Sequence, residues 1–381
     1  MKKLRTLLPV LLSAFVALIA GHASAASTPP ADFVLDVPEE FSAASIASVG
    51  DGRYCVSGYI FHDDVPNNSA MVVLVDARAR RVLWKTDIPY AKNHYENSSV
   101  DCVRSGEFYY VLTQERTDSL EAQSDTLLVM SKISSTGKLL KSQRVDVGRD
   151  VWPNLFQAGP EGLSLVGGAS TDSIDRGGKR SLFVARFDRD LSRTQLVVLP
   201  TGAFWDPSYA KLDGTSLTIS GGFLPNEAAK EAAHEGYAVS KIDLSRARYV
   251  WSTFVAPPDR QAQGAVSLPD GSMAYVGVSD DRLLLSVIDV SGHVARRLSA
   301  PRTICSVDAL GVKDGKLQIV GRRCSETHSM LLLDIDPTSG TVLASRDIGD
   351  GAWAVSFDDD AVWMFVGKPG SDRKLFRRVA R

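Results

Sequence analysis

Apolar positions along the chain fall into short runs of strand length, separated by compact turns that contain glycine or aspartate. One unit reads SIASVGDGRYCVSGYIF and then MVVLVDARARRVLWKTDI, and a later one reads AVSLPDGSMAYVGV and then LLLSVIDVSGHVARRLS. Runs rich in Val, Ile, Leu, Tyr and Phe between turn residues are typical of β-strands. The pattern predicts an all-β protein in which four strands make one repeated unit.

The repeat indicates a β-propeller, because strand-rich units with a period of about 40 to 50 residues form blades around a ring. Seven units can be traced, and the last, WAVSFDDDAVWMFVGK and KLFRRVAR, is one strand short. The segment FVLDVP at residues 33–38 precedes the first unit and can supply that strand. Pairing the chain ends would close the ring and remove an open sheet edge. We therefore expect a seven-bladed β-propeller, with six or eight blades as alternatives.

The first 25 residues have the features of a signal peptide. Lys2, Lys3 and Arg5 precede an apolar run, and Ala23-Ser24-Ala25 supplies the small residues of a cleavage site. The apolar run is too short for a typical membrane span. The alternative to cleavage is that the segment is retained as an N-terminal anchor. We expect residues 26–381 to form a single propeller domain that does not span the membrane, exported by a bacterium to the periplasm or the medium.

The segments that cover the third and fourth strands resemble those of quinoprotein-like bacterial β-propellers. Examples are LVDARARRVLWKTDI and LLDIDPTSGTVLASRDI. The resemblance is architectural and covers most of the mature chain. Quinone-dependent dehydrogenases of that superfamily usually carry two adjacent cysteines, and no two cysteines are adjacent here, so the resemblance implies the fold but not the cofactor.

The four cysteines are expected to form two disulfides. Around the predicted Asp314-Gly315 turn, Cys305 and Cys324 have equal offsets and should face each other across a hairpin. Cys55 and Cys102 lie three residues from the turns of neighbouring blades and should be at equal height. An even cysteine count suits an exported protein. The two other connectivities and a zinc site are the alternatives, although the cysteines lack Cys-x-x-Cys spacing.

Loop lengths identify one face of the ring as the functional surface. The turns between the first and second strands are short, whereas the loops between the second and third strands are long in several blades. The long loops are predicted to begin after Ile60, Leu112, Ala169 and Phe223, and AAKEAAHE in the last of them could form a short helix. Long loops on a rigid scaffold commonly carry binding sites, and solvated decoration is the alternative.

Connections between blades bring aromatic and basic side chains toward the same face. Aromatic rings beside polar groups suit the binding of sugars or peptides. The alternative for a tryptophan at a blade junction is packing between blades. The candidate ligand-binding residues are Tyr95, Trp152, Trp205, Arg260, Arg302 and Trp353.

Oxygen ligands from three successive blades could instead hold Ca²⁺ in the central channel. The candidate ligands are Glu96, Asn97, Asn154 and Asp206, and His94 could act as a general base. Such a site would resemble those of metal-dependent lactonase propellers, in which a metal polarises an ester carbonyl. The alternative is that these Asn and Asp side chains cap turns where the chain enters a blade.

Composition narrows the range of partners. The formal charge of −2 gives no reason to expect a nucleic-acid partner. The basic C-terminal residues are expected to form an exposed face, with contact to an anion as the alternative; they are Arg373, Lys374, Arg377, Arg378 and Arg381. We expect a monomeric, non-catalytic propeller that binds a protein, peptide or glycan, with no cofactor. A divalent-metal-dependent lactonase or esterase that uses Ca²⁺ is the alternative.

Overall fold

The computed structural model describes ten segments of the chain. They are residues 32–62, 67–117, 126–170, 179–199, 202–224, 236–256, 262–279, 281–324, 329–367 and 371–381. The predicted leader and the possible helix at residues 228–235 lie outside the described residues. Within these segments all regular secondary structure is β, and no helix is long and apolar enough to cross a membrane.

The strands form seven antiparallel sheets of four strands each, which are the blades of a seven-bladed β-propeller. Blades 1 to 6 each contain four consecutive strands, ordered from the innermost strand outward. The strands of blades 1 to 3 are β2 (Phe41–Ser48), β3 (Arg53–His62), β4 (Asn67–Asp76), β5 (Arg81–Ile88), β6 (Glu96–Ser105), β7 (Phe108–Arg116), β8 (Thr126–Ile133), β9 (Leu139–Val145), β10 (Arg149–Gly159), β11 (Gly162–Ser170), β12 (Arg180–Phe187) and β13 (Arg193–Leu199).

Blades 4 to 6 repeat the same order. Their strands are β14 (Ala203–Asp213), β15 (Ser216–Leu224), β16 (Gly236–Asp243), β17 (Arg248–Ala256), β18 (Ala262–Ser267), β19 (Met273–Val278), β20 (Arg282–Ile288), β21 (Val294–Pro301), β22 (Ala309–Lys313), β23 (Lys316–Arg322), β24 (Ser329–Ile335) and β25 (Val342–Asp350).

Blade 7 contains both chain ends, as the sequence predicts. Its strands are β26 (Ala352–Phe357), β27 (Ala361–Gly367), β28 (Lys374–Ala380) and, outermost, β1 (Phe33–Leu35). Strand β1 pairs with β28 in antiparallel register, with Phe33 opposite Phe376. Asp32 strengthens this closure, since its carboxylate accepts a hydrogen bond of 2.9 Å from Arg377 Nε. The N-terminal segment thus covers an edge that would otherwise be open.

The hydrophobic core lies between the blades. In the described chain, each pair of neighbouring blades shares a cluster of buried apolar side chains. Middle strands contact both neighbouring blades, so residues 70–75 of β4 and nearly all of β19 form continuous buried apolar runs rather than alternating. Outer strands such as β17 alternate between exposed and partly buried positions.

The interface between blades 4 and 5 contains a cavity of about 140 Å³. Its lining is largely apolar and includes Tyr275, which is 2% exposed. The Tyr275 hydroxyl has no hydrogen-bond partner in the described part of the protein, and burial raises its pKa.

Both predicted disulfides are present. Cys55 and Cys102 join blades 1 and 2, with their Cα atoms 6.1 Å apart. Cys305 and Cys324 join the two chain segments that precede β22 and follow β23, with a Cα separation of 5.0 Å. The expectation that the latter two lie directly opposite each other was wrong, because Cys305 N–H donates to the carbonyl of Arg322. An irregularity between this hydrogen bond and the Asp314-Gly315 turn shifts the pairing register of the two segments. Cys305 and Cys324 are therefore diagonal neighbours, and the disulfide connects them across that diagonal.

The turn geometry follows the sequence prediction at two hairpins. Asp51-Gly52 and Asp314-Gly315 have positive φ at both residues, at 59° and 71° and at 50° and 73°. Such pairs form type I′ turns, whose twist matches that of the strands they connect. These turns place the short connections on one face of the ring, and the blade-to-blade connections therefore open on the other.

Candidate functional site

We use the term upper face for the face at which the innermost strands β2, β6, β10, β14, β18, β22 and β26 begin. Because neighbouring strands in each blade are antiparallel, the loops between the second and third strands open on this face as well. The predicted starts of the long loops were one to four residues early. Strand β7, for example, continues past Leu112 to Arg116, and this places Glu115 in the sheet opposite Asn97.

The innermost strands share a register irregularity near the upper face. Such bulges bend a strand and re-aim the side chains beside it. In blade 6 the equivalent region lies between two backbone hydrogen bonds, from Cys305 N to Arg322 O and from Asp308 N to Val320 O. In the other blades the shifts lie at Ala43/Ser45, Ser99/Asp101, Pro153/Leu155, Trp205/Tyr209, Ala262/Gly264 and Ala352/Ala354.

A buried imidazole–carboxylate pair lies at the upper end of blade 2. His94 Nδ1 contacts Glu115 Oε2, and the two side chains are only 11% and 3% exposed. Beside them, Arg116 Nη1 lies 3.1 Å from Glu96 Oε1. A carboxylate that binds one imidazole nitrogen orients the other nitrogen, which can then exchange a proton with a ligand.

Asn97 and Tyr95 connect blade 2 to blade 1. The Asn97 amide accepts a hydrogen bond of 2.7 Å from Ala70 N and donates one of 2.8 Å to Ile88 O. Both atoms of this buried amide are therefore satisfied by backbone. The Tyr95 carbonyl accepts a hydrogen bond of 3.3 Å from Asn67 Nδ2. These contacts fix the connection that carries His94 at the start of blade 2.

Trp152 packs between blades 3 and 4. It is 7% exposed and contacts Ala203 and Leu224. Its indole nitrogen donates a hydrogen bond of 2.6 Å to the carbonyl of Phe204. A Cβ at Gly168 would lie 2.1 Å from the indole, so glycine is required beneath the ring. This is the packing role that the sequence left open.

The other candidates of blades 3 to 6 are separated around the ring. Asn154 Nδ2 donates to the same carbonyl of Phe204 at 3.2 Å. Arg302 Nη2 lies 3.0 Å from Cys305 Sγ. Arg260 and the side chains of Trp205 and Asp206 lie outside the described part of the protein.

Trp353 is a candidate aromatic residue with a solvent-exposed side chain. It occupies the irregularity of β26 and is 45% exposed. Lys374 Nζ lies 4.0 Å from the centroid of its ring, and the ring of Phe365 packs against it at 5.7 Å. Burial lowers the pKa of Lys374, although Asp372, Glu39 and Glu40 oppose the effect.

Asp101 follows the irregularity of β6 and is half-buried. Its carboxylate accepts a hydrogen bond of 2.7 Å from Cys102 N, its own chain neighbour. Burial nevertheless raises the pKa of Asp101 to about 7, because this single bond only partly compensates for the loss of solvent. The carboxyl group therefore titrates near neutral pH.

A second unusual group occurs at the upper end of blade 3. Arg180, at the start of β12, is 2% exposed, and neither its Nε nor its Nη1 has a hydrogen-bond partner within the described residues. Ser170 lies directly opposite it on β11, and its hydroxyl also lacks a partner there.

Reasoning from the sequence missed Glu115, Arg180 and Lys374. The first two were assigned to long loops, whereas they lie in strands at the upper face. The alternation of β7 could have identified Glu115, since Tyr109, Val111, Thr113 and Glu115 are on one side of the strand. No comparable signal separates Arg180 from the other arginines of the chain.

The proposed calcium ligands do not form one cluster among the residues whose side chains are described. Glu96 is paired with Arg116, and Asn97 and Asn154 bind backbone atoms. The described residues contain no group of three or more His, Cys, Asp or Glu side chains that could hold a metal ion.

No protein-family model and no curated protein matches the sequence. Solved structures of other β-propellers do match its fold. A catalytically inactive variant of virginiamycin B lyase from Staphylococcus aureus, crystallised with quinupristin, is 12% identical with a TM-score of 0.52, and the match covers 91% of this chain and 98% of the lyase. Sqt1 of Saccharomyces cerevisiae is 10% identical with a TM-score of 0.51, over 92% of this chain and 100% of that one.

The quinohemoprotein alcohol dehydrogenase of Comamonas testosteroni gives the same level of similarity. It is 10% identical with a TM-score of 0.52, over 88% of this chain and 66% of the dehydrogenase. This confirms the expected resemblance to quinoprotein propellers in architecture. At such low identity the similarity establishes the fold alone.

Proposed function

We propose that the protein is an exported, non-catalytic propeller that binds a peptide or protein segment at its upper face. The observation that carries this proposal is Trp353, a large aromatic side chain that stands 45% exposed at the start of an innermost strand. Exposed aromatic area on a rigid scaffold is well suited to anchor a ligand, because little ordering is required when the ligand binds.

The surroundings of Trp353 favour a peptide over a glycan. A sugar ring binds by stacking on an open aromatic face, whereas the ammonium group of Lys374 and the ring of Phe365 already lie against this indole. An apolar side chain of a peptide can instead pack against the exposed part of the ring. The nearby carboxylates of Glu39 and Asp372 favour a basic residue in the same peptide. Their mutual repulsion raises the pKa of Glu39.

Export to the periplasm or the medium is part of the proposal. Two disulfides support it, since such bonds persist in oxidising compartments. The predicted leader agrees with the same location.

A matched pair of variants tests the proposal. Peptides would be selected from a random library on the immobilised protein, and their dissociation constants measured for the wild type, Trp353→Ala and Phe254→Ala. Phe254 is 46% exposed on the outermost strand of blade 4 and provides the control. We expect Trp353→Ala to weaken binding at least about tenfold, and Phe254→Ala to leave it unchanged. Equal effects of the two substitutions, or a library that yields no binder, would contradict the proposal.

The pairing of His94 with Glu115 supports a second candidate, a hydrolase of esters or lactones in which His94 is the general base. In the calcium-dependent form of this proposal, Glu96 would leave Arg116 and bind the metal. Metal content and Ca²⁺-dependent melting of the purified protein test this form, because a specifically bound ion raises the melting temperature. A stoichiometric metal that is lost in Glu96→Ala, together with ester hydrolysis that is lost in His94→Gln, would favour the hydrolase.

A further inference from the structure

Arg180 occupies an unusual electrostatic environment for a side chain that remains charged at all physiological pH values. It is 2% exposed, and its Nε and Nη1 lack hydrogen-bond partners in the described residues. Buried charges in proteins are normally paired or hydrogen-bonded, because removal from water is costly. Burial lowers the pKa of Arg180, and the carboxylate of Asp150 only partly opposes this effect.

The residues next to Arg180 form a cross-strand row on blade 3. Ser170 pairs with Arg180 on one side and with Arg149 on the other. Side chains of directly paired residues project from the same side of a sheet. The row therefore contains two guanidinium groups with a hydroxyl between them, and the Ser170 hydroxyl is also buried without a partner in the described chain. These donors suit an oxyanion.

The backbone beside the row is constrained. Asp150 has a positive φ of 44°, a conformation that is uncommon for residues other than glycine. At Gly148, φ is 142° and an added Cβ would lie 2.8 Å from the carbonyl oxygen of Ser170. Strained residues of this kind concentrate at functional sites. The constraint brings the Arg149 end of β10 close to the end of β11.

We propose that Arg180 and Ser170 form a binding site for a carboxylate group of the ligand. Asp150 carries a negative charge that acts on Arg180, so a group with one negative charge fits this position better than a dianionic phosphate. This inference rests on the proposed function, since it names a chemical group that the upper face would recognise in a peptide, either an acidic side chain or the C-terminus.

The same position in blade 5 provides a control. Arg282 begins β20 as Arg180 begins β12, but it is exposed and donates a hydrogen bond of 2.7 Å to Ser299 Oγ. Arg282→Gln therefore removes an arginine from the equivalent strand end without touching the proposed site. Arg180→Met keeps the length and much of the apolar contact of the side chain while it removes the charge.

The experiment measures the melting temperatures of the wild type, Arg180→Met and Arg282→Gln in chloride, acetate and sulfate at equal ionic strength. We expect acetate to raise the melting temperature of the wild type and of Arg282→Gln relative to chloride, and to leave Arg180→Met unchanged. In chloride, Arg180→Met should melt at the same temperature as the wild type or higher, because it removes a buried charge whose Nε and Nη1 have no hydrogen-bond partner among the described residues.

Three results would overturn the inference. An acetate shift that persists in Arg180→Met would place the anion elsewhere, and a shift with sulfate alone would exclude a carboxylate site. A marked loss of stability of Arg180→Met in chloride would show that the guanidinium has a structural partner. Because acetate replaces the peptide here, the anion site can fail while peptide binding through Trp353 holds, and the reverse can also occur.

Discussion

The C-terminal residue Arg381 is predicted to be a major contributor to the stability of the ring. Its guanidinium donates three hydrogen bonds, two to blade 6 and one within blade 7. Nε donates to Gln318 Oε1 at 2.6 Å, Nη1 to Asp358 O at 2.6 Å and Nη2 to Val312 O at 2.9 Å. The group also lies 4.8 Å from the centroid of the Phe357 ring.

These contacts determine how much stability the substitution Arg381→Ala should remove. Hydrogen bonds from a charged donor contribute about 1.5–3 kcal/mol each, and a cation–π contact adds about 0.5–2 kcal/mol. The sum overstates the effect of Arg381→Ala, because water can replace the donor at the partly exposed carbonyls. Gln318 is only 3% exposed, so its oxygen would lose a donor that water cannot easily replace. We expect Arg381→Ala to lower the free energy of unfolding by about 3 kcal/mol.

Arg378→Ala is the matched control, since it removes a second arginine near the same chain end. Arg378 Nη2 lies 2.6 Å from Asp360 Oδ2, but the Asp360 side chain is 73% exposed. An ion pair with such a solvated partner contributes about 0–1 kcal/mol, and added salt weakens it. The two variants and the wild type would be compared by guanidinium unfolding, followed by tryptophan fluorescence. Equal losses for both, or a difference below about 1 kcal/mol, would refute this reasoning.

Three further predictions concern the core and the inner strands. Tyr110→Phe should lower the free energy of unfolding by about 1–2 kcal/mol, because the Tyr110 hydroxyl donates a hydrogen bond of 2.9 Å to Arg189 O. Tyr275→Phe should leave the free energy of unfolding unchanged or raise it, because it removes a hydroxyl without a partner in the described chain. Denaturant unfolding of both variants measures the contrast, and equal losses would contradict it. The raised pKa of Asp101, about 7 against the usual 3.8, means that the folded state binds the proton more tightly, so wild-type stability should fall as pH rises from about 4 to about 7. Asp101→Asn should remove this pH dependence, and at pH 8 its free energy of unfolding should exceed that of the wild type by about 1–3 kcal/mol. Parallel pH profiles of stability for the two proteins would argue against the prediction. Replacement of the disulfide between blades 1 and 2, which has a sequence separation of 47, should lower the free energy of unfolding by about 4 kcal/mol. Replacement of the blade 6 disulfide, which has a separation of 19, should lower it by about 3 kcal/mol. Denaturant unfolding of the two double variants tests this order, and a larger loss for blade 6 would contradict it.

The sequence by itself determined the architecture. Strand runs, tight turns and the incomplete last unit predicted seven blades and the pairing of FVLDVP with the last strand, and the structure has both. These features are local or repeat at a fixed period, so a single chain displays them without knowledge of its contacts. The disulfide pairs were accessible for the same reason, since turn positions give the approximate height of each cysteine, although the irregular register of blade 6 makes Cys305 and Cys324 diagonal neighbours.

Only the tertiary structure decided which polar and aromatic side chains are available. Trp152 and Trp353 occupy comparable positions in the sequence, yet one packs between blades and the other is 45% exposed. Likewise, the basic C-terminal residues were expected to form an exposed face, but Arg377 binds Asp32 beside the closing strand and Arg381 binds Gln318 of blade 6. The partners of these side chains are distant in sequence and are brought together by the ring closure and the irregular registers of the inner strands. Burial and pairing depend on those long-range contacts, and no pattern within one blade encodes them.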